Sequence, residues 1–275
     1  MASAPCPDLS SFSVYIMSVK ILVPIKRVVD PNVRVHIGAG GTIDTAGLKM
    51  SVNPFDECAI EMALRLREAG HASRVTVVTC GRPVCQDVLR TGLAMGADDA
   101  VLIDTGDERA SIDSSGVAAL LRAFIATSPH DLVLCGKQAI DDDTGGVAPM
   151  LAGLLGWPQA LDATGLAPDG AGWRVTCGDD SGTATWQCTG PAVISADLRL
   201  AEPRRVTLPS IVKARQKPLA ILDAARFGIE LAPATHTVRI DEPAIRRAGT
   251  RVADIAELVA ALSAHNVFVH SGAGA

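Results

Sequence analysis

The chain alternates short, wholly apolar runs with longer stretches whose apolar residues recur every three or four positions. Lys20–Ile25 (KILVPI), Arg74–Cys80 (RVTVVTC), Ala100–Ile103 and Asp131–Cys135 (DLVLC) are of the first kind and predict buried strands. Helices are predicted over Pro54–Gly70, Val84–Met95, Val117–Ala126 and Val147–Leu155. In the first of them Ala59, Ile60, Ala63, Leu64 and Leu66 fall at helical spacing. Asn53 is placed to cap it, Pro54 suits its first turn and Gly70 its exit. Strands that are apolar throughout and separated by helices predict parallel pairing with helices on both faces. The expected class is α/β, with a Rossmann-like, doubly wound, mostly parallel sheet.

The pattern changes after Trp157. Residues 158–195 are rich in Gly, Thr, Asp and Pro, and short runs such as TATWQC and AVISA predict antiparallel or edge strands closing the same domain. Residues 232–275 read as a looser arm with one helix, about Val252–Leu262. Its apolar stripe (Val252, Ile255, Leu258, Val259, Leu262) either folds back on the sheet or reaches a partner subunit. The G-A-G-G run at 38–41 has no helix after it and reads as a hairpin turn, while SGAGA at 271–275 is expected to be disordered. Residues 1–16 lack the cationic start and apolar centre of a secretory signal and the arginines of a transit peptide. They are expected to be a disordered extension, or to precede a true start at Met17. The expected division is therefore 1–16, an α/β domain over 17–231, and an arm over 232–275.

Hydrophobic residues make up 48% of the chain and charged ones 20%, enough apolar mass for a packed core. With 25 Lys+Arg against 30 Asp+Glu the chain is mildly acidic, which argues against a nucleic-acid groove. Nine aromatic residues are too few for base-stacking platforms. No apolar run reaches the roughly 18 residues of a membrane span. Cysteines stand at 6, 58, 80, 85, 135, 177 and 188, with no C-x-x-C, so neither a zinc site nor a disulfide framework is expected. Free thiols in apolar runs suit a reducing cytoplasm. The six histidines show no metal-ligand pairing, and no metal site is expected.

In parallel sheets, ligands bind beyond the carboxyl ends of the strands. The segments leaving those ends are Lys26–Arg34, Cys80–Pro83 and Gly136–Gly146. The last continues as G-K-Q-A-I-D-D-D-T-G-G-V, with Thr144-Gly145-Gly146 at the mouth of a helix. Glycines let backbone approach a ligand, and N–H groups at a helix start attract phosphate. The aspartates could instead accept from ribose hydroxyls, bind a cation or cap the helix, and a solvated acidic loop is the plain alternative. The first strand is followed by no glycine fingerprint. G-x-x-x-x-G-K-[ST] and G-x-S-x-G are also absent, and no nucleophile–base pair or other catalytic residue is nominated.

Several stretches together resemble the β subunit of electron transfer flavoproteins. They are KILVPIKRVVD (20–30), SVNPFDECAIE (51–61), LRTGLAMGAD (89–98), GKQAIDDD (136–143), LLGWPQ (154–159), PAVISADLRLAEPR (191–204) and TLPSIVKA (207–214). They follow the family's order over about 20–265, and N-P-F-D-E, L-A-M-G-A-D and A-D-L-R-L-x-E-P-R are the most specific.

The resemblance implies a sheet of the adenine-nucleotide-binding type and a heterodimer. In it an α subunit holds most of the FAD and the β subunit closes over the flavin, in many members burying an AMP. By matching position, AMP would lie against Pro24, Asn53, Cys80 and the loop of Gly136, Gln138, Asp142, Asp143, Thr144, Gly145, Gly146 and Val147, with Phe55 near the flavin ring. The stretch Arg204–Lys213 would be a recognition loop for an acyl-CoA dehydrogenase of fatty acid β-oxidation. Leu208 would be its anchor, with Pro209 and Ile211 beside it and Arg204, Arg205 and Lys213 as a positive rim. Electrons would pass singly through the α-bound FAD to a quinone oxidoreductase, so the chain is expected to be a carrier subunit rather than an enzyme.

The departures matter too. D-T-G-G-V-A-P at 143–149 is similar to flavin-bifurcating members, in which the β subunit holds a second FAD and NADH is the donor. Pro31 stands where a tyrosine often lies near the flavin, and the lysine run after the recognition loop is thinned to K-A-R-Q-K. A remote alternative, outside the family, is a stand-alone AMP- or ATP-binding regulatory domain.

Overall fold

The computed structural model describes residues 19–38, 43, 45, 47–106, 112–235, 237–242, 244 and 248–265. The expected extension over 1–16, the glycines of the 38–41 run beyond Gly38, and SGAGA lie outside them, as do Cys6, His236 and His270. Ile37 and Ile43, which flank the glycine run, form an antiparallel bridge.

The elements follow in the order β1 (Lys20–Pro24), β2 (Arg27–Val29), β3 (Met50–Val52), α1 (Pro54–Glu68), β4 (Arg74–Gly81), α2 (Gln86–Met95), β5 (Asp99–Asp104) and α3 (Ser114–Thr127). Next come β6 (Leu132–Gly136), α4 (Val147–Leu155), β7 (Gln159–Asp169), β8 (Gly172–Asp179), β9 (Gly182–Thr189) and β10 (Ala192–Ala196). The last are α5 (Leu208–Ala214), β11 (Leu219–Asp223) and α6 (Ile255–Ala264). Among the described residues nine strands form one sheet in the order β11-β5-β4-β1-β6-β10-β7-β8-β9, parallel from β11 to β7 and antiparallel from β7 to β9. The α/β doubly wound expectation holds.

Alternation along each strand feeds two cores. In β1, Ile21 and Val23 face a core with Ile60, Leu64, Leu89 and Leu93 of α1 and α2, while Leu22 faces Leu120, Leu121, Phe124 and Leu151 of α3 and α4. These side chains are almost wholly buried. Each contributes about 1.5–3 kcal/mol by leaving water, which is what makes the central strands read as unbroken apolar runs.

One expectation needs correction. AVISA is neither antiparallel nor at an edge: β10 lies between β6 and β7, parallel to both, with all five residues buried. A strand buried on both faces is built almost wholly of apolar residues, its one polar side chain, Ser195, accepting from Asp162 N–H, and its Gly- and Thr-rich surroundings hid that pattern. The arm helix begins at Ile255, where the Asp254 carboxylate accepts from Glu257 N–H, and none of its residues is buried, so it is not folded back on the sheet.

From β1 the chain winds one way through β4 and β5, then returns to place β6 on the other side of β1. That reversal leaves a crevice at the carboxyl ends of β1 and β6, the place where doubly wound sheets bind ligands.

Candidate functional site

A cleft of about 480 Å³ opens at this crevice, within the range of small-molecule sites. Three chain segments predicted from sequence converge on it: Lys26 and Arg27 after β1, Cys80–Arg82 at the end of β4, and the loop after β6. Pro24, Asn53 and Cys80 line it, and so do Gly136, Gln138 and Asp142 from the loop. Gly145, Gly146 and Val147 complete its floor at the start of α4. Phe55, Asp143 and Thr144 do not line it.

The N-P-F-D-E stretch builds the inner wall. Asn53 occupies the N-cap position of α1, but its side chain makes no cap hydrogen bond, contrary to expectation. Instead the amide reaches across to the aspartate loop: Nδ2 donates to Gln138 O at 2.8 Å and Oδ1 accepts from Ile140 N–H at 3.2 Å. Two directed bonds to a distant loop outweigh one local cap. Three residues on, the Asp56 carboxylate accepts from Lys26 N–H at 2.7 Å and faces Gly136, tying the ends of β1 and β6 together. A methyl group on Gly136 would lie 2.2 Å from Asp56 Oδ1, so only glycine fits there.

Burial pushes the Asp56 carboxyl up to about 7, against the pull of the Lys26 and Gly136 N–H groups and of Asn53. A carboxyl raised above its unfolded value holds its proton better in the fold, so stability is lost as pH rises through the folded value. Against Asp56→Asn, the wild-type chain should lose about 1 kcal/mol of relative stability per unit between about pH 5.5 and 6.5. Urea unfolding of both proteins across that range checks it, and a flat difference would show that Asp56 is ionised throughout.

The acidic loop is folded rather than loosely solvated. Lys26 Nζ donates to Asp141 at 2.8 Å and Asp142 at 2.9 Å. Burial lowers the Lys26 pKa, but the two aspartates outweigh it and leave the ammonium above its ordinary value. Asp142 also accepts from Thr144 N–H, and Gln138 donates to Asp143, which sits at φ +50°. The Thr144 N–H is therefore committed within the loop, and the expectation that it contacts a phosphate shifts to Gly145–Val147. Gly146 opens α4 with no side-chain cap, which leaves the helix's first N–H groups to an outside acceptor. Ser114, at the start of α3, presses on Gly146: a Cβ there would meet Ser114 at 3.0 Å.

The opposite wall is apolar, from Val78, Val117 and Leu121. Burial pushes the Cys80 thiol up to about 12, so it remains protonated and serves as wall. Sequence reasoning missed the roles of Lys26, Asp56 and Ser114. The D-S-S at 113–115, with Asp113 as the N-cap of α3, is a cap signal that could have placed Ser114.

The stretch implied as a recognition loop, Arg204–Lys213, carries no regular element up to Thr207 and is helical from Leu208. Thr207 caps α5 reciprocally with Ser210, and Pro209 sits in its first turn. Leu208 is 74% exposed, and Ile211 and Val212 stand out beside it at the i+3 and i+4 positions. Arg205 and Lys213 are exposed. Arg204 is not a free rim charge, because its guanidinium faces α1 and pairs with Glu61 and Glu68.

The comparisons with known proteins agree with this architecture. A family model described as "Electron transfer flavoprotein domain" matches residues 40–226. The electron transfer flavoprotein subunit beta of Bradyrhizobium diazoefficiens is 44% identical over 244 residues, 88% of this chain and 97% of that protein. The subunit of the same name from Dictyostelium discoideum is 39% identical over 250 residues, 90% of this chain and 99% of its own length. The human one is 38% identical over 245 residues, covering 88% and 96%. With a family match over most of the chain and relatives aligned almost end to end, the chain belongs to the electron transfer flavoprotein β-subunit family.

Proposed function

We propose that this chain, paired with an α subunit that holds FAD, relays electrons from acyl-CoA dehydrogenases of fatty acid β-oxidation to a quinone-linked oxidoreductase. The observation that carries this reading, given the family, is Leu208 standing 74% exposed on a short helix with Ile211 and Val212 beside it. A large apolar side chain so displayed suits a docking anchor. The flavin, when bound, supplies the reversible electron chemistry. This chain covers and orients it, with Phe55 near the ring, and needs no acid or base of its own.

The cleft is proposed to hold AMP as a structural ligand. The uncapped start of α4 suits its phosphate, the apolar wall its base, and Gln138 or Asp142 its ribose hydroxyls. The arm over 232–275 is proposed to lie against the α subunit, which the unburied helix α6 supports. A cytoplasmic site is supported by the free described cysteines. A second reading, a bifurcating subunit with FAD in the cleft and NADH as donor, is favoured by the D-T-G-G-V-A-P loop alone.

Co-expression with the α subunit tests the carrier reading. A yellow heterodimer should form, and its flavin should bleach anaerobically when acyl-CoA and its dehydrogenase are added together. A colourless protein indifferent to the α subunit would favour the regulatory domain.

A further inference from the structure

The helix that displays Leu208 cannot hold its own shape. α5 has seven residues, of which only Ala214 is buried. Helices under about 12–15 residues are marginal in water, and burial of one methyl group adds little. Its capping box closes the first turn but does not attach it to the body of the protein.

Two sets of bonds do attach it. Ahead of α5, Arg204 Nε donates to Glu61 at 2.7 Å, and its Nη1 and Nη2 donate to Glu68 at 2.6 and 3.1 Å. Arg204 Nη2 and the Arg204 N–H also reach Glu61. Glu61 is buried on α1 and is shared with Arg65, whose other end donates to Glu202 O. The two glutamates raise the guanidinium pKa still further, so the pair stays charged. Behind α5, Arg90 Nη1 of α2 donates to Ala214 O at 3.0 Å and Lys217 O at 3.1 Å. Lys217 Nζ returns to the end of α2, donating to Leu93 O at 3.2 Å and Ala97 O at 2.5 Å. A cation at the last carbonyls of a helix is favourably placed for its dipole. Two of the most specific family stretches thus meet beneath α5: L-A-M-G-A-D supplies the carbonyls and A-D-L-R-L-A-E-P-R supplies Arg204.

We propose that Arg204 and Lys217 are positioning residues that clamp α5 to α1 and α2, so that the Leu208, Ile211 and Val212 face meets the electron donor already ordered. This rests on the reading that α5 docks the donor. A short-lived carrier contact has little binding energy to spend on ordering a loop, so a preformed face raises affinity without adding a contact. Loss of either clamp should therefore weaken encounter and leave electron transfer within the complex alone.

The test uses the whole heterodimer carrying Arg204→Lys, Lys217→Met, Leu208→Ala, and each clamp change combined with Leu208→Ala. The readouts are bound flavin, KM for the carrier, and kcat in dehydrogenase-coupled reduction. Each clamp change should raise KM by roughly five- to thirty-fold with kcat within about two-fold, through the ordering cost of a few residues. In the Leu208→Ala background the same changes should add less than they cost alone, since the most exposed apolar side chain they hold in place is already gone. Amide exchange over 208–214 should quicken in both clamp variants. Should Arg204→Lys fail to assemble because Glu61 is left buried, Lys217→Met decides alone, since it strands no buried charge. If Leu208→Ala raises KM and a folded clamp variant does not, the clamp is wrong while docking stands. If Leu208→Ala leaves KM unchanged, docking by α5 fails, and the clamp proposal with it.

Discussion

Gly136→Ala should destabilise the protein by about 3–5 kcal/mol, combining overpacking with the loss of buried hydrogen bonds. The new methyl group would sit 2.2 Å from Asp56 Oδ1, 2.9 Å from Phe55 Cβ and 3.0 Å from Asp56 N. The last is backbone in the first turn of α1 and cannot swing away. The Asp56 carboxyl would have to leave Lys26 N–H, undoing the tie between β1 and β6 where the cleft forms. Gly153→Ala is the matched control. It lies in α4 with nothing within 4 Å of the added carbon, and should be neutral or stabilising by up to about 1 kcal/mol. Denaturant unfolding of the two variants separates steric cost from glycine chemistry. A Gly136→Ala protein within about 1 kcal/mol of wild type would mean that Asp56 is not held as described.

Leu208→Ala should weaken reduction by the dehydrogenase by about 1–3 kcal/mol, the range for one buried anchor side chain. Assembly with the α subunit and flavin content should not change. Carrier contacts lie at the small end of protein interfaces, below about 1,200 Å², so one anchor carries a large share. The apolar face is wider than a single leucine, and Ile211→Ala and Val212→Ala should give smaller losses in the same assay. The exposed Arg205 and Lys213 remain as the positive rim, and raising ionic strength should slow association with an acidic donor surface. Flavin content measured beside coupled reduction is decisive here. Loss of flavin would make Leu208 an assembly residue, and wild-type behaviour in both would move the anchor elsewhere.

What could be read from sequence was local periodicity joined to burial. The helix Val147–Leu155 runs between the expected residues, and each predicted strand from KILVPI to DLVLC is present to within a residue or two. AVISA escaped because a short run of four apolar residues and one serine looks alike in the centre and at the edge of a sheet, and its partners are chosen by tertiary packing. Asn53 carried a cap signature, yet its amide bonds a loop 85 residues away, and no window of sequence records that choice. The same distance hid Arg204, whose glutamate partners lie 136 and 143 residues back. Thr207-Leu208-Pro209-Ser210 carries a cap and a first-turn proline, so a helix was legible there, but the family resemblance, which implies a loop, made it read as one.

The proposed carrier holds a single flavin and, in its β-subunit cleft, a structural adenine nucleotide. Denaturing the purified heterodimer and counting the released nucleotides by chromatography tests it most directly. One FAD and one AMP per heterodimer is the predicted result. Two FAD would contradict it in favour of the bifurcating reading, and no adenine nucleotide beyond a single FAD would contradict the assignment of the cleft itself.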